Sequence, residues 1–154
     1  MVSDVGDSKF AMAWLPASAR LSFLSGRILE IAPGYGRWTQ FLQTHYASLI
    51  GIDLARSCVD YCHKRFANYP NLEFKVNEGL TLPMIENRSI DFAFSFDSLV
   101  HAEADVISSY VNELARVLRH RGESFFLSRR KAQKRSRSIR WILSTHFLSQ
   151  DCRK

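Results

Sequence analysis

Length, composition and charge already exclude several classes of protein. The chain has 154 residues, the size of one ordinary domain, and its 46% hydrophobic and 23% charged residues are typical of a globular fold rather than a disordered chain. Three cysteines are too few for a disulfide framework and favour the cytoplasm. No segment has the roughly 20 consecutive apolar residues of a membrane-spanning helix, and the acidic start lacks the basic region of a signal peptide.

Strand and helix patterns then alternate along the chain. Residues 9–25 predict one or two short helices that end at Gly26. Strands are predicted at 27–31, 48–53, 72–76, 90–96 and 124–128, and helices at 37–46, 56–67 and 103–120. Because strands that alternate with helices pair in parallel through right-handed crossovers, the sequence predicts an α/β fold: a doubly wound, mostly parallel sheet of about five strands in three αβα layers.

Charge divides the chain unevenly. Residues 129–154 hold nine basic residues and one acidic residue, whereas residues 1–128 hold 12 basic and 14 acidic residues. We therefore predict an N-terminal helical segment at 1–26, a main domain at 27–128 and a basic tail at 129–154. Clustered Lys and Arg can bind phosphates, but such a run is more often a solvated tail, so an adaptor that binds nucleic acid is the lesser alternative.

Two loops carry candidate binding residues. Gly34 and Gly36 follow the first strand and permit a tight turn with close backbone approach to a ligand, although a plain turn explains them equally well. Asp53 ends the second strand, where an acid can accept hydrogen bonds from both ribose hydroxyls. Asp53 could instead cap the helix that begins near Arg56.

Five segments in this order resemble one family. They are ILEIAPGYGRWTQFL, LIGIDLARSCVDYC, NEGLTLPM, SIDFAFSFDSLVHAE and ELARVLRHRGESFF, and they cover about two thirds of the chain. Together they resemble the class I S-adenosylmethionine-dependent methyltransferases of the small-molecule type. The resemblance implies a Rossmann-like sheet, S-adenosyl-L-methionine as cofactor and a small-molecule methyl acceptor. We predict no membrane partner, because no segment is long and apolar enough to span a bilayer.

The resemblance also implies a role for individual residues. The methionine end of the cofactor would be lined by Glu30, Ala32, Gly34 and Gly36. Asp53 would bind the ribose hydroxyls and Leu54 would contact the adenine. Glu78 would lie near the adenine amino group, with the backbone amide of Gly79 beside it. Ser95, Phe96 and Asp97 would lie under the sulfonium, at the entrance to the acceptor site.

Catalysis in this family needs few groups. Methyl transfer is an in-line displacement, so the protein mainly aligns the acceptor with the methyl carbon. Asp97 or His101 could serve as a base where the acceptor must lose a proton, although His101 could equally make structural hydrogen bonds. Cys58 and Cys62, four residues apart on a helix, make a poor zinc pattern, so we predict no metal site.

One feature departs from a dinucleotide-binding pattern, and another departs from the family pattern. Thr39 stands where a dinucleotide fingerprint has its third glycine, which weakens an NAD alternative without excluding it. The tail at 129–154 allows one short amphipathic helix instead of the family's closing helix and antiparallel strand pair, and the abrupt change after Ser128 suggests a truncated or frame-altered product. The fifth strand would then be an open edge that could form a homodimer, and the chain could bind the cofactor without catalysis.

Overall fold

The fold is a six-stranded sheet covered by helices. The computed structural model describes residues 26–96, 98, 103–130 and 137–144, and at residues 104, 121–130 and 137–144 it describes the backbone only. The helices predicted within 9–25 and the candidate bases Asp97 and His101 lie outside the described residues.

The strands form one sheet in the order β3-β2-β1-β4-β5-β6. The strands are β1 (Arg27–Ile31), β2 (Ser48–Asp53), β3 (Leu72–Val76), β4 (Ile90–Phe96), β5 (Leu118–Arg130) and β6 (Arg137–Ser144). The helices are α1 (Thr39–Leu42), α2 (Arg56–Arg65) and α3 (Ala104–Val117). The first five strands pair in parallel and β6 pairs antiparallel to β5, which confirms the predicted doubly wound, mostly parallel sheet.

The first four strands have the predicted bounds, whereas all three helices are shorter than predicted, and the one predicted at 56–67 ends at Arg65. The helix predicted at 37–46 shrinks to the single turn α1, because hydrogen-bonded turns occupy the residues on either side of it. The helix predicted to reach residue 120 ends at Val117, and β5 starts at once with Leu118, which pairs with Ile90. Leu118 continues the apolar helical stripe in sequence, so periodicity alone could not place this boundary.

The predicted tail structure is wrong in one respect. Residues 137–144 form a strand rather than a short amphipathic helix, and this strand pairs with β5 from Glu123 opposite Ser144 to Arg130 opposite Arg137. The fifth strand is therefore not an open edge, because its hydrogen-bonding groups face β6. The expectation of a homodimer was based on an open edge at the fifth strand, and that reason for it no longer applies.

The core lies on both faces of the sheet. One cluster contains Ile28, Leu49, Phe74, Phe92 and Phe94 from the strands and packs against α1 and α2 through Leu42, Val59, Cys62 and Phe66. The other contains Leu29, Ile31, Ile50, Ile52 and Ala93 and packs against α3 through Tyr110, Leu114 and Val117. Alternate residues of the central strands thus enter opposite clusters, as expected of strands covered on both faces, and the three αβα layers are confirmed.

Candidate functional site

The topology brings those predicted site residues that the structure describes to one edge of the sheet. From β1 the chain moves outward through β2 and β3, then returns to the other side of β1 as β4. The strand order therefore reverses between β1 and β4, and ligands of such sheets bind beyond the carboxyl ends of the strands at this point. The described site residues lie at the carboxyl ends of β1, β2 and β4 and in the loops that follow β1, β2 and β3.

The glycine-containing loop after β1 has an unusual backbone. Ala32, Gly34 and Gly36 have φ angles of 57°, 57° and 76°, in the left-handed region. At Gly34 an added Cβ would meet nothing within 4 Å, whereas at Gly36 it would collide with the ring of Phe66. A left-handed conformation at a non-glycine residue is costly and often marks a functional site. This loop is thus tightly packed at Gly36 and open at Gly34.

Glu30 is a carboxylate deep in the protein at the end of β1. It is 2% exposed, and its Oε2 accepts a hydrogen bond of 2.6 Å from the hydroxyl of Thr39, which is itself fully buried. Burial raises the pKa of Glu30 to about 7, with a smaller contribution from the charge of Asp53, while the Thr39 hydrogen bond acts in the opposite direction. A cation beside such a carboxyl would stabilise its charged form.

Asp53 joins the first two loops. Its Oδ2 accepts the backbone N–H of Gly34 at 3.0 Å, and its Oδ1 accepts the N–H of Ala55 at 2.9 Å. The residue that caps α2 is Ala55, without a side-chain capping bond, so the alternative that Asp53 is the N-cap is wrong. Asp53 instead fixes the glycine loop to the end of β2, and each carboxylate oxygen keeps a lone pair for a further donor.

The loop after β3 lies against the same region. The N–H of Asn77 donates to the carbonyl of Asp53 at 2.9 Å. Glu78 is exposed and accepts a hydrogen bond from the Thr81 hydroxyl. Gly79 has a φ of 89°, and an added Cβ there would lie 2.9 Å from Leu54, whose side chain is 66% exposed. The structure thus brings Leu54 and Gly79 together, with the carboxylate of Glu78 at the surface beside them.

The end of β4 contributes aromatic and hydroxyl groups. Ser95 is buried, and its Oγ lies 2.7 Å from the Oγ of Ser98. Phe96 is half-buried, with its ring centroid 4.5 Å from that of Trp38. Because Glu30 pairs with Phe94, Ser95 lies one residue further along the neighbouring strand. The end of β4 therefore lies beside the acid near the end of β1.

Sequence reasoning missed three residues of this region. By sequence Thr39 is only a missing glycine, although it lies three residues after Gly36 and supplies the partner of Glu30. Sequence reasoning assigns Asn77 and Tyr110 no part in the site, yet they hydrogen-bond to each other beneath the loop after β3. Only Asn77 carried a local signal, because Asn favours side-chain hydrogen bonds to the backbone two residues on.

Metal and membrane features were searched over the described part of the chain. No group of three or more His, Cys, Asp or Glu side chains there could hold a metal ion. None of the helices in those ranges combines the length and apolar character required to cross a bilayer.

Comparison with known proteins places the chain in a family. Phthiotriol/phenolphthiotriol dimycocerosates methyltransferase 1 of Mycobacterium ulcerans is 34% identical over 64% of this chain and 36% of its own length. A solved sarcosine dimethylglycine methyltransferase, assigned as putative, from Galdieria sulphuraria has a TM-score of 0.69 at 22% identity over 80% of this chain and 47% of its own. Phosphoethanolamine N-methyltransferase 1 of Haemonchus contortus, solved with phosphoethanolamine and S-adenosylhomocysteine, has a TM-score of 0.71 at 18% identity over 84% and 26%.

The chain thus spans about a third of the Mycobacterium ulcerans relative and half or less of these two solved chains. The family model described as "Methyltransferase domain" matches residues 28–122, from the first residues of β1 into β5. This match includes all four loops at the carboxyl edge, and the chain belongs to the methyltransferase domain family.

Proposed function

We propose that the chain is an S-adenosylmethionine-dependent methyltransferase that transfers a methyl group to a small molecule. The observation that carries the proposal is the buried carboxyl of Glu30, which ends β1 just before an open, left-handed glycine loop that is itself fixed to Asp53. S-adenosylmethionine combines an ammonium group with a ribose, and this pair of acids at neighbouring strand ends suits both.

The residues of the site fit this cofactor. The ammonium of its methionine part would neutralise Glu30, whose burial otherwise disfavours the charged form. The Cβ-free surface at Gly34 leaves room for close approach of the methionine part, and Asp53 would accept the ribose hydroxyls. Leu54 would contact the adenine, and the Glu78 carboxylate would accept a hydrogen bond from the adenine amino group. The N–H of Gly79 donates to Asn77 Oδ1, so a bond from this amide to the adenine must share or replace that interaction.

The reaction places few demands on the protein. The cofactor supplies an electrophilic methyl group, and the chain has to hold the acceptor in line with it and keep water away. Ser95 and Phe96, at the end of β4, would form the floor of this region. Asp97 and His101 remain our candidates for a base, which is needed only when the acceptor loses a proton.

A small-molecule acceptor is supported by the relatives. The Haemonchus contortus structure contains phosphoethanolamine, and the Mycobacterium ulcerans relative is named as a methyltransferase of phthiotriol and phenolphthiotriol dimycocerosates. We also propose a cytoplasmic location, because Cys58 and Cys62 are free thiols, as is usual in a reducing compartment.

Calorimetric titration with S-adenosylmethionine and S-adenosylhomocysteine tests the proposal. We expect Asp53→Ala to weaken binding by about 10- to 100-fold, since two hydrogen bonds to a charged acceptor are lost. Asp60→Ala, on the exposed side of α2, is the matched control and should bind like the wild type. An unchanged affinity in a folded Asp53→Ala chain would remove the ribose assignment.

Turnover separates an enzyme from a binding protein. Transfer of a labelled methyl group to any compound in an acceptor screen supports the enzyme. Tight cofactor binding with no transfer would favour the alternative of a non-catalytic cofactor-binding protein. A folded wild-type chain that binds neither ligand would contradict both.

A further inference from the structure

We infer that Tyr110 and Asn77 are positioning residues for the adenine end of the site: a buried hydrogen bond from α3 sets the shape of the loop after β3. The inference rests on the proposed function, because it assigns a role to residues behind the proposed adenine contacts Glu78 and Gly79.

Asn77 is the centre of this loop. Its side chain is buried, and its Oδ1 accepts the N–H of Gly79 while its Nδ2 donates to the carbonyl of Thr81 at 2.6 Å. Its own N–H donates to the carbonyl of Asp53. One side chain therefore connects both ends of the turn that carries Glu78, and the backbone ties that turn to the acid at the end of β2.

Tyr110 holds Asn77 from below. Its side chain is 6% exposed within the apolar cluster formed with Leu114 and Val117, and its hydroxyl donates to Asn77 Oδ1 at 3.1 Å. A phenylalanine would fill this apolar site equally well, so packing does not explain the hydroxyl. The hydroxyl and the Gly79 amide share one acceptor, which fixes the rotation of the Asn77 amide group and with it the turn.

Further contacts from α3 extend this support along the loop. The Ser109 hydroxyl donates to the carbonyl of Leu80 at 2.7 Å, and Glu113 Oε2 accepts the N–H of Leu82 at 2.6 Å. Arg116 pairs with Glu113 and donates to the carbonyl of Leu82 at 2.9 Å. Helix α3 thus holds Leu80 and Leu82 by their backbone and Asn77 by its side chain, while Glu78 is exposed.

The distinguishing measurement compares two ligands. S-adenosylhomocysteine carries the adenine amino group that Glu78 would accept, and S-inosylhomocysteine has a carbonyl in its place. The wild-type chain should therefore prefer the adenosine ligand. In Tyr110→Phe we expect that preference to fall about two- to tenfold, the scale of one lost hydrogen bond, with the fold retained. Tyr69→Phe removes a hydroxyl from a partly exposed ring and should keep the full preference.

A merely structural role for Tyr110 predicts a different result. It would lower the midpoint of thermal unfolding, or weaken both ligands equally, and leave their affinity ratio unchanged; that outcome would overturn the inference. If Tyr110→Phe does not fold, Asn77→Asp takes its place, because it keeps the acceptor for Gly79 and loses the donor to Thr81. It should also reduce the ratio, and an unchanged ratio there would count against the inference. Failure of the wild-type chain to bind S-adenosylhomocysteine would instead overturn the proposed function, and the inference with it.

Discussion

Glu30 gives a prediction whose size follows from the structure. The carboxyl is buried at the end of β1, and its pKa lies at about 7 instead of the ordinary 4.5. The folded chain therefore holds a proton on Glu30 between these two values, whereas the unfolded chain has released it. The free energy of unfolding consequently falls as the pH rises from about 4.5, and this loss is complete above about 7.

The magnitude is about 3 kcal/mol over the whole range, because one pKa unit corresponds to about 1.4 kcal/mol. Glu30→Gln cannot ionise and keeps an amide oxygen for the Thr39 hydroxyl. We expect its stability relative to the wild type to increase by about 2–3 kcal/mol between pH 5 and pH 8.5. Urea unfolding at several pH values, without ligand, measures this difference directly.

The difference between the two chains cancels the contribution of the other titrating groups to the pH dependence, since the histidines are common to both. Glu86→Gln, at an exposed position, is the control and should follow the wild-type profile. Parallel profiles for Glu30→Gln and the wild type, within about 0.5 kcal/mol, would refute a carboxyl whose pKa is raised by burial. The same variant should bind S-adenosylhomocysteine more weakly, because it cannot provide a negative charge for the ammonium.

Two further predictions concern the neighbours of Glu30. Gly36→Ala should destabilise the chain by about 2–4 kcal/mol, since it combines a φ of 76° with a collision, whereas Gly34→Ala meets open space and should cost about 1 kcal/mol; thermal or urea unfolding compares them. Thr39→Val should cost about 1–3 kcal/mol and move the pH transition of Glu30 upward, because the hydrogen bond that stabilises the carboxylate is lost. Thr39→Ser should keep the wild-type transition, and equal pH profiles for the two Thr39 variants would contradict this assignment.

The strands were predictable where the local pattern was strong. The apolar strands at 27–31, 48–53, 72–76 and 90–96 are bounded by Gly, Pro, Asn or Asp, and their observed bounds equal the predicted ones. The prediction of a helix at 37–46 was wrong in length, because its periodic apolar residues lie partly in the turns around α1. The prediction of a helix in the tail was wrong because the structure of residues 137–144 depends on pairing with β5, a contact between distant positions that composition does not reveal.

The sequence predicts that the residues of the candidate site lie at strand ends, but it does not predict the hydrogen bonds between them. Sequence places Asp53 at the end of a strand but does not exclude an N-cap, and the structure excludes it, because the Asp53 carboxylate accepts the amides of Gly34 and Ala55 while Ala55 caps the helix. Likewise, nothing local to Tyr110 distinguishes its hydroxyl from the rest of an apolar helical stripe. Hydrogen bonds between residues 33 positions apart arise from tertiary packing alone.

Thr39 shows why a departure from a motif can be informative. As a missing glycine it argues only against one nucleotide fingerprint. In the fold the same position faces the end of β1, where a buried carboxyl needs a donor, and a glycine there would leave Glu30 without the hydroxyl that favours its charged form. A site that binds a cation beside its first strand needs that form, whereas a third glycine serves close packing of helix and strand. A threonine in place of the fingerprint glycine therefore suits the buried carboxyl of Glu30, and we regard Thr39 and Glu30 as one unit of the candidate site.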